Sequence, residues 1–263
     1  MTEKVTSADG TLIAYDRYGT GGPAVIYVGG AFNDRGAGRG VGELLADRFT
    51  VYSYDRRGRG DSGDTPPYAV EREVEDLAAM VSVAGGEAAA CSMSSGGALL
   101  LAAAASGVPL RRLALYEVPF TPDDEERRAQ AREYGDRLAE ALAAGRRDTA
   151  VELFLTMVGT PAEMIAQLRG APMWPALEAM APTLAYDAAV MDNRSGAGIP
   201  TDRLPAVTVP TLVLAGGASP AWMRDIARQL ADTLPDGRHA VLPDQTHDVD
   251  PAALAAALAS FLT

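Results

Sequence analysis

A serine hydroxyl in a predicted strand-to-helix turn is the residue of this sequence best suited to chemistry. Ser94 lies in the segment ACSMSSGGA (residues 90–98), between a short apolar stretch and a helix rich in alanine and leucine. A sharp turn of this kind, a nucleophile elbow, lifts one hydroxyl above a sheet, and small neighbours allow the backbone to make the turn. The usual pattern is G-x-S-x-G, and here Ser92 replaces the first glycine. We therefore predict that Ser94 is a nucleophile for an acyl carbon or a similar centre.

Two histidines are available as the base that a serine hydroxyl needs. His239 follows Asp-Gly-Arg at the start of a predicted strand, where a half-exposed surface histidine is the usual outcome. His247 lies in PDQTHD (residues 243–248), the loop after the last predicted strand. That loop reaches the same sheet edge as the elbow, so we predict that His247 is the base, although a lone histidine is more often structural.

A carboxylate must hold the imidazole in one tautomer and stabilise its charged form. Glu117 closes a predicted core strand at the edge where Ser94 is expected, and it keeps the chain order serine, acid, histidine. Asp248 and Asp250 are the alternatives, but they lie too close in sequence to His247 to orient its ring easily. Glu117 could instead bind a polar group of a substrate or cap the neighbouring helix.

Negative charge on the attacked oxygen needs donors that are already in place. The residue after the nucleophile, Ser95, supplies one backbone N–H. The second comes from the loop VGGAF (residues 28–32), whose paired glycines let backbone approach a ligand closely. We predict Ala31 as this donor, with Phe32 as its near rival; the alternative is a glycine turn that binds nothing.

Strand and helix patterns alternate along most of the chain, which predicts an α/β fold with a mainly parallel, doubly wound sheet. Ligands of such sheets bind beyond the carboxyl ends of the strands. The predicted strands are residues 11–18, 23–28, 50–54, 88–93, 112–117, 210–215 and 238–242.

Residues 121–204 interrupt this alternation, because they show helical patterns and no convincing strand. We interpret this insertion as a helical cap over the active edge of the sheet, with residues 1–120 and 205–263 as the core. Packing helices that cover nothing are the alternative. Trp174 in the insertion, and Phe32 and Trp222 in the core, are predicted walls of a substrate pocket, although ordinary core packing would also account for each of them.

Composition excludes several classes of function. The formal charge of -12 disfavours nucleic acid and anionic membranes as partners. No signal peptide and no span of eighteen apolar residues is visible, so a cytoplasmic protein is expected. One cysteine and two well separated histidines give no zinc-binding set and no internal disulfide. The expected partner is a small-molecule substrate, while the sequence leaves the oligomeric state open.

One glycine motif imitates a nucleotide site. GRGDSG (residues 58–63) matches G-x-G-x-x-G and follows a strand, but Asp-Thr-Pro-Pro comes next. The glycines therefore do not open a helix onto a pyrophosphate, as a dinucleotide site requires. Cys91, three residues before Ser94, is interpreted as a buried strand residue rather than a nucleophile.

Taken together, the elbow, the Gly29-Gly30 loop, the DRRGRGDS run (residues 55–62) and the late Thr246-His247 resemble the α/β-hydrolase superfamily over nearly the whole chain. This resemblance implies an eight-stranded sheet with a cap domain, a serine nucleophile and no cofactor. The chain departs from the family pattern at Ser92 and in lacking a carboxylate near position 219. Some members place the acid after the sixth strand, which is where Glu117 would fit.

The function expected from these residues is a serine hydrolase that cleaves a carboxylic ester or lactone through an acyl-enzyme on Ser94. One alternative is a non-hydrolytic enzyme of the same fold, such as a cofactor-free haloperoxidase, a lyase or a cyclase, in which the histidine acts alone as acid and base. Another is a ligand-binding pseudoenzyme. Sequence patterns do not fix the pocket, so the substrate stays open.

Overall fold

The computed structural model describes residues 2–196 and 198–262, and these residues form two compact units. The core unit comprises the chain up to Phe120 and from Ile199 onward. The helical unit comprises Thr121–Gly198. Within the described residues, no helix is long and apolar enough to cross a membrane.

The core unit is built on a sheet of eight strands within the described part of the chain. The strands are β1 (Glu3–Thr6), β2 (Leu12–Tyr18), β3 (Ala24–Val28), β4 (Thr50–Tyr54), β5 (Ala88–Met93), β6 (Leu110–Tyr116), β7 (Thr211–Gly216) and β8 (Gly237–Leu242). Their spatial order is β1-β2-β4-β3-β5-β6-β7-β8. The pairs β1-β2 and β2-β4 are antiparallel and the other pairs are parallel. The predicted α/β fold with a mostly parallel eight-stranded sheet is confirmed.

Helices connect and flank these strands. They are α1 (Arg39–Leu45), α2 (Val70–Val83), α3 (Ser95–Ala105), α4 (Glu125–Ala143), α5 (Arg147–Met157), α6 (Ala162–Arg169), α7 (Trp174–Met180), α8 (Leu184–Val190), α9 (Ala221–Thr233) and α10 (Pro251–Phe261). In the core unit α1 contacts α10, α2 contacts α3, and α9 contacts β7 and β8.

The middle of the sheet is apolar on both faces, as expected for parallel strands covered by helices. Alternate residues of β3, Val25 and Tyr27, belong to one buried cluster with Leu45 of α1 and Leu258 of α10. Cys91 of β5 lies in the same cluster and its thiol is buried and free. The interpretation of Cys91 as a strand residue is therefore confirmed.

The helical unit contains α4 to α8, and no strand occurs among its described residues. One face of α4 is buried along Tyr134, Leu138 and Ala141, a spacing that places side chains on one side of a helix. Arg169 of α6 pairs with the carboxylates of Asp148 and Glu152 of α5. A covering role for this unit stays a prediction.

Two elements of the core unit were missed by sequence analysis. Strand β1 has the sequence EKVT and is largely exposed at the sheet edge, so it lacks the apolar alternation that predicts a half-buried strand. Helix α1 has the sequence RGVGELL, and its two glycines disfavour a helix. Packing of Val41 and Leu45 into the core stabilises α1 despite that low propensity.

Candidate active site

Ser94 occupies the turn between β5 and α3 in a backbone conformation that is rare for a residue with a side chain. Its φ is 53° and its ψ is -133°. Such a conformation persists only where surrounding contacts hold it, and strain of this kind clusters at active sites. The Ser94 N–H donates to the Tyr116 carbonyl at 2.9 Å, and the Ser94 carbonyl accepts from the Gly97 N–H at 2.9 Å.

Glycines after Ser94 make the turn sterically feasible. A methyl group at position 96 would lie 2.5 Å from the Val28 carbonyl oxygen, and one at position 97 would lie 2.3 Å from a methyl carbon of Val118. The methyl at 97 would also come within 3.2 Å of the Ser92 hydroxyl oxygen. Gly97 therefore leaves room for the serine that replaces the usual first glycine of the motif.

The loop after β3 passes directly against Ser94. A methyl group at Gly30 would lie 2.8 Å from Ser94 Cβ and 3.4 Å from Ser94 Oγ. The Gly30 carbonyl accepts from the Asn33 N–H at 3.2 Å, which closes a four-residue turn with Ala31 and Phe32 at its centre. Phe32 has a φ of 57°, so this turn is strained as well. The geometry brings the predicted donor loop to the predicted nucleophile.

Glu117 follows β6 and is fully buried. One carboxylate oxygen, Oε1, accepts from the Gly216 N–H at 2.8 Å, and the other, Oε2, lies 2.8 Å from His247 Nδ1. Burial alone would raise the pKa of Glu117, but hydrogen bonds from His247 and from Gly216 outweigh it and hold that pKa below its usual range. Glu117 is thus an anion that accepts a hydrogen bond from the imidazole.

The alternative acids in the His247 loop have different positions. Asp250 caps α10, because its Oδ1 accepts from the Ala252 N–H at 2.8 Å. Asp248 is exposed to solvent. Among the described residues, the carboxylate paired with His247 is that of Glu117. The geometry therefore favours Glu117 over both aspartates as the partner of the imidazole.

Two residues that sequence analysis missed hold the His247 loop against β6. The buried Tyr116 phenol donates to the Thr246 carbonyl at 2.5 Å. Burial raises the pKa of Tyr116, which keeps the phenol protonated as a donor. A methyl group at Gly216 would lie 2.3 Å from the Gln245 carbonyl oxygen and 2.8 Å from the Tyr116 hydroxyl. In the sequence, the available signals for these two residues were a tyrosine and a glycine at the ends of predicted strands.

Ser94, Glu117 and His247 all follow carboxyl ends of parallel strands, namely β5, β6 and β8. Hydrogen bonds also connect them: the Ser94 N–H donates to the carbonyl of Tyr116, the residue before Glu117, and the Glu117 carboxylate is bonded to His247. The imidazole side chain is 47% exposed, so it is accessible from solvent. The roles of these side chains stay predictions.

The other histidine has a different environment. His239 lies within β8, opposite Val213 of β7, and is half-buried. Its Nε2 is buried without a hydrogen-bond partner among the described residues. Burial, together with the nearby Arg228, lowers the pKa of His239. This ring is a strand residue rather than a group at the carboxyl edge.

The three predicted pocket walls are placed as follows. Phe32 lies in the strained turn beside Ser94 and is half-buried. Trp222 is the second residue of α9 and is half-buried. Trp174 begins α7 of the helical unit, where it is buried and its indole N–H donates to Glu178 at 3.1 Å. Contact of any of them with a substrate stays a prediction.

The loop after β4, which imitates a nucleotide motif, is tied down by buried arginines. Arg56 pairs bidentately with Glu73, and Arg57 pairs bidentately with Asp76. Helix α2 begins only at Val70, so the glycines of residues 58–63 do not open a helix. Within the described residues, no group of three or more His, Cys, Asp or Glu side chains could hold a metal ion.

Comparisons with known proteins agree with this architecture. The model of a family described as the alpha/beta hydrolase family matches residues 28–257. An alpha/beta hydrolase from Sphaerobacter thermophilus is 52% identical, with a TM-score of 0.88, over 99% of this chain and 100% of that one. A search of curated proteins found no match.

Two more distant structures have the same fold. A thermophilic esterase from Thermogutta terrifontis, solved with malate bound, is 25% identical over 100% of this chain and 98% of that one, with a TM-score of 0.70. An enol-lactonase from Burkholderia xenovorans is 20% identical over 99% of each chain, with a TM-score of 0.69.

Proposed function

Since the chain belongs to the alpha/beta hydrolase family, we propose that it is a serine hydrolase that cleaves a carboxylic ester or a lactone of a small molecule. Ser94 is the nucleophile, His247 the base and Glu117 the residue that orients the base. The observation that carries the proposal is the 2.8 Å contact between His247 Nδ1 and the buried Glu117 carboxylate, at the sheet edge where Ser94 stands.

The first half of the reaction follows from this contact. Because the Glu117 anion accepts a hydrogen bond from the Nδ1–H group, the Nε2 lone pair of neutral His247 is left to accept a proton from Ser94. The Ser94 oxygen then bonds to the carbonyl carbon of the substrate, and the imidazole becomes a cation beside Glu117. The carbonyl oxygen gains a negative charge as its double bond opens.

The N–H groups of Ala31 and Ser95 are the proposed donors that stabilise that charge. Ser95 opens α3, so its N–H lies at the positive end of the helix. His247 returns its proton to the alcohol oxygen as the ester bond breaks, which leaves Ser94 acylated. Water then gives a proton to His247 as its oxygen bonds to the acyl carbon, and His247 passes that proton to the Ser94 oxygen as the acyl bond breaks, which releases the carboxylic acid and restores Ser94.

Support for ester or lactone chemistry also comes from the esterase and the enol-lactonase with the same fold. A non-hydrolytic reaction needs no attack by water on an acyl-enzyme. A binding-only role needs no covalent bond between Ser94 and its ligand. A non-hydrolytic enzyme therefore differs from the proposal in hydrolysing no ester or lactone, and a binding protein differs in forming no covalent bond at Ser94.

A fluorophosphonate probe and a panel of p-nitrophenyl esters and lactones test the proposal. We expect labelling at Ser94, located by peptide mass spectrometry. We also expect Ser94→Ala to lower turnover by on the order of three decades or more. Ser92→Ala is the matched control, because that hydroxyl is buried two residues away without a bonding partner among the described residues.

Three outcomes would count against the proposal. Wild-type protein that labels but hydrolyses no ester or lactone would favour non-hydrolytic chemistry. Wild-type protein that does not label, and whose ligand binding survives Ser94→Ala, would favour a binding protein. Equal loss of turnover in Ser92→Ala and Ser94→Ala would place the effect in the turn rather than in the nucleophile.

A further inference from the structure

Arg59 is a fully buried arginine that donates a hydrogen bond to the loop of residues 28–32, which is predicted to supply an oxyanion donor. Its side chain is in the loop after β4 and is 1% exposed. Its Nη1 donates to the Gly30 carbonyl oxygen at 2.5 Å, across 29 positions of sequence. Arg56 reaches the neighbouring Gly29 carbonyl only at 3.4 Å and is committed to Glu73. The stronger of the two contacts is that of Arg59.

The Gly30 carbonyl and the Ala31 N–H belong to the same peptide group. In a planar trans peptide these two groups point in opposite directions, so fixing the carbonyl also fixes the direction of the N–H. A cation bound to the carbonyl polarises the peptide further and makes its N–H a stronger donor, and the low dielectric of the interior enhances this effect. A cation that binds the Gly30 carbonyl therefore changes both the direction and the donor strength of the Ala31 N–H.

The same peptide adjoins the nucleophile. A methyl group at Gly30 would be 2.8 Å from Ser94 Cβ, and no residue but glycine fits there without displacement. Asn33 completes the support, since its N–H donates to the Gly30 carbonyl at 3.2 Å and its Oδ1 accepts from the Gly30 N–H at 3.0 Å. The Gly30–Ala31 peptide is thus held at its carbonyl oxygen, and its glycine lies directly against Ser94.

We propose that Arg59 is a positioning residue for the oxyanion: by binding the Gly30 carbonyl it aims and polarises the Ala31 N–H toward the charge that forms on the substrate oxygen. This inference rests on the proposed function. Arg59 does not touch the substrate. It acts through one peptide group, so its removal weakens the transition state more than the binding of the substrate.

The test compares Arg59→Gln with Arg57→Gln in p-nitrophenyl butyrate hydrolysis. Arg57 is the matched control: it is in the same loop and equally buried, but it binds Asp76, Asp9 and the Arg72 carbonyl. Deleting an oxyanion donor costs about 10²–10³ in kcat; because the Ala31 N–H itself remains, we expect about a tenfold loss in Arg59→Gln with little change in KM. Arg57→Gln is expected to lower Tm and leave kcat near wild type.

A short alkyl trifluoromethyl ketone supplies a second readout, because its adduct with Ser94 carries the oxyanion. We expect ketone affinity to fall about as much as kcat in Arg59→Gln, and the adduct oxygen to ionise at higher pH by ¹⁹F NMR. Neither change is expected in Arg57→Gln. If the glutamine variants do not fold, Arg59→Lys and Arg57→Lys give the same comparison, with a loss of about threefold in Arg59→Lys because lysine lacks the planar fork.

The outcomes separate this inference from the function on which it rests. A wild-type protein that neither hydrolyses the ester nor binds the ketone would overturn both. A wild-type protein that does both, with kcat and ketone affinity unchanged in the Arg59 variants, would overturn the positioning role alone. Equal kinetic losses in the Arg57 and Arg59 variants would reduce Arg59 to a structural residue.

Discussion

The two histidines of this chain lie in β8 and in the loop that follows it, and they differ in burial and in hydrogen bonding. His239 is within β8, half-buried, and its buried Nε2 has no partner among the described residues. His247 is in the following loop, partly exposed, and bonded to the Glu117 carboxylate. Burial lowers the pKa of His239, which disfavours its charged form. The His247 ring has the buried Glu117 carboxylate beside it.

Under the proposed function, this contrast means that a bonded carboxylate, rather than exposure or burial, prepares an imidazole to act as a base. A base must become a cation during the reaction, and His247 has a buried carboxylate bonded to its ring that stabilises such a cation, whereas burial and Arg228 outweigh the favourable effect of Asp232 at His239. His239 has the arginine Arg228 nearby, which acts in the opposite direction. Three experiments test the comparison, and we order them from the largest expected effect to the smallest.

The largest effect is expected from His247→Ala. Loss of the base lowers kcat/KM for ester hydrolysis by on the order of three decades or more, because nucleophile and base work as a unit. His239→Ala is the control and is expected to keep kcat/KM within about twofold, as a site without contact to the reacting atoms does. Steady-state kinetics, with circular dichroism to verify folding, measures both. Comparable losses in the two variants would erase the distinction between the histidines.

Glu117→Gln removes the partner and leaves His247 in place. The amide cannot stabilise the imidazolium and favours the wrong tautomer, so we expect kcat to fall by about a thousandfold. Asp248→Asn is the control, since that aspartate is exposed and has been considered as an alternative acid. A fully active Glu117→Gln protein, or an inactive Asp248→Asn protein, would assign the acid to another residue.

The smallest effect concerns stability. The folded-state pKa of His239 is below its ordinary value of 6.5. On acidification the unfolded chain therefore binds this proton first, so the contribution of His239 to stability is present above pH 6.5 and is lost as pH falls toward the folded value. We expect Tm of His239→Gln to vary less than that of wild type over this acidic range. An identical pH dependence by differential scanning calorimetry would contradict the shift.

Local sequence was sufficient for the elements on which the site depends. The turn at Ser94, the paired glycines after β3 and the alternation of strands and helices each involve neighbouring residues, so their patterns are readable. The mainly parallel direction of the strands also follows, because the alternation of strands and helices favours a parallel sheet.

Contacts between distant residues were not readable in the same way. The Tyr116 phenol meets Thr246 across 130 positions, and the Arg59 guanidinium meets Gly30 across 29. Neither residue type has a pattern that announces its partner, since both are common in buried structure when their polar ends are bonded. Strand β1 was missed for another reason: its stability comes from pairing with β2 rather than from its own apolar residues.

The 130 positions between Glu117 and His247 have a consequence for synthesis. A ribosome delivers the amino end first, and early segments begin to fold while later ones are absent. Ser94 and Glu117 emerge well before His247, and the Gly216 N–H that donates to Glu117 belongs to a late strand as well. Under the proposed function, an unfinished chain therefore carries an ordinary, unreactive alcohol at Ser94, and hydrolysis requires that the last part of the sheet has docked.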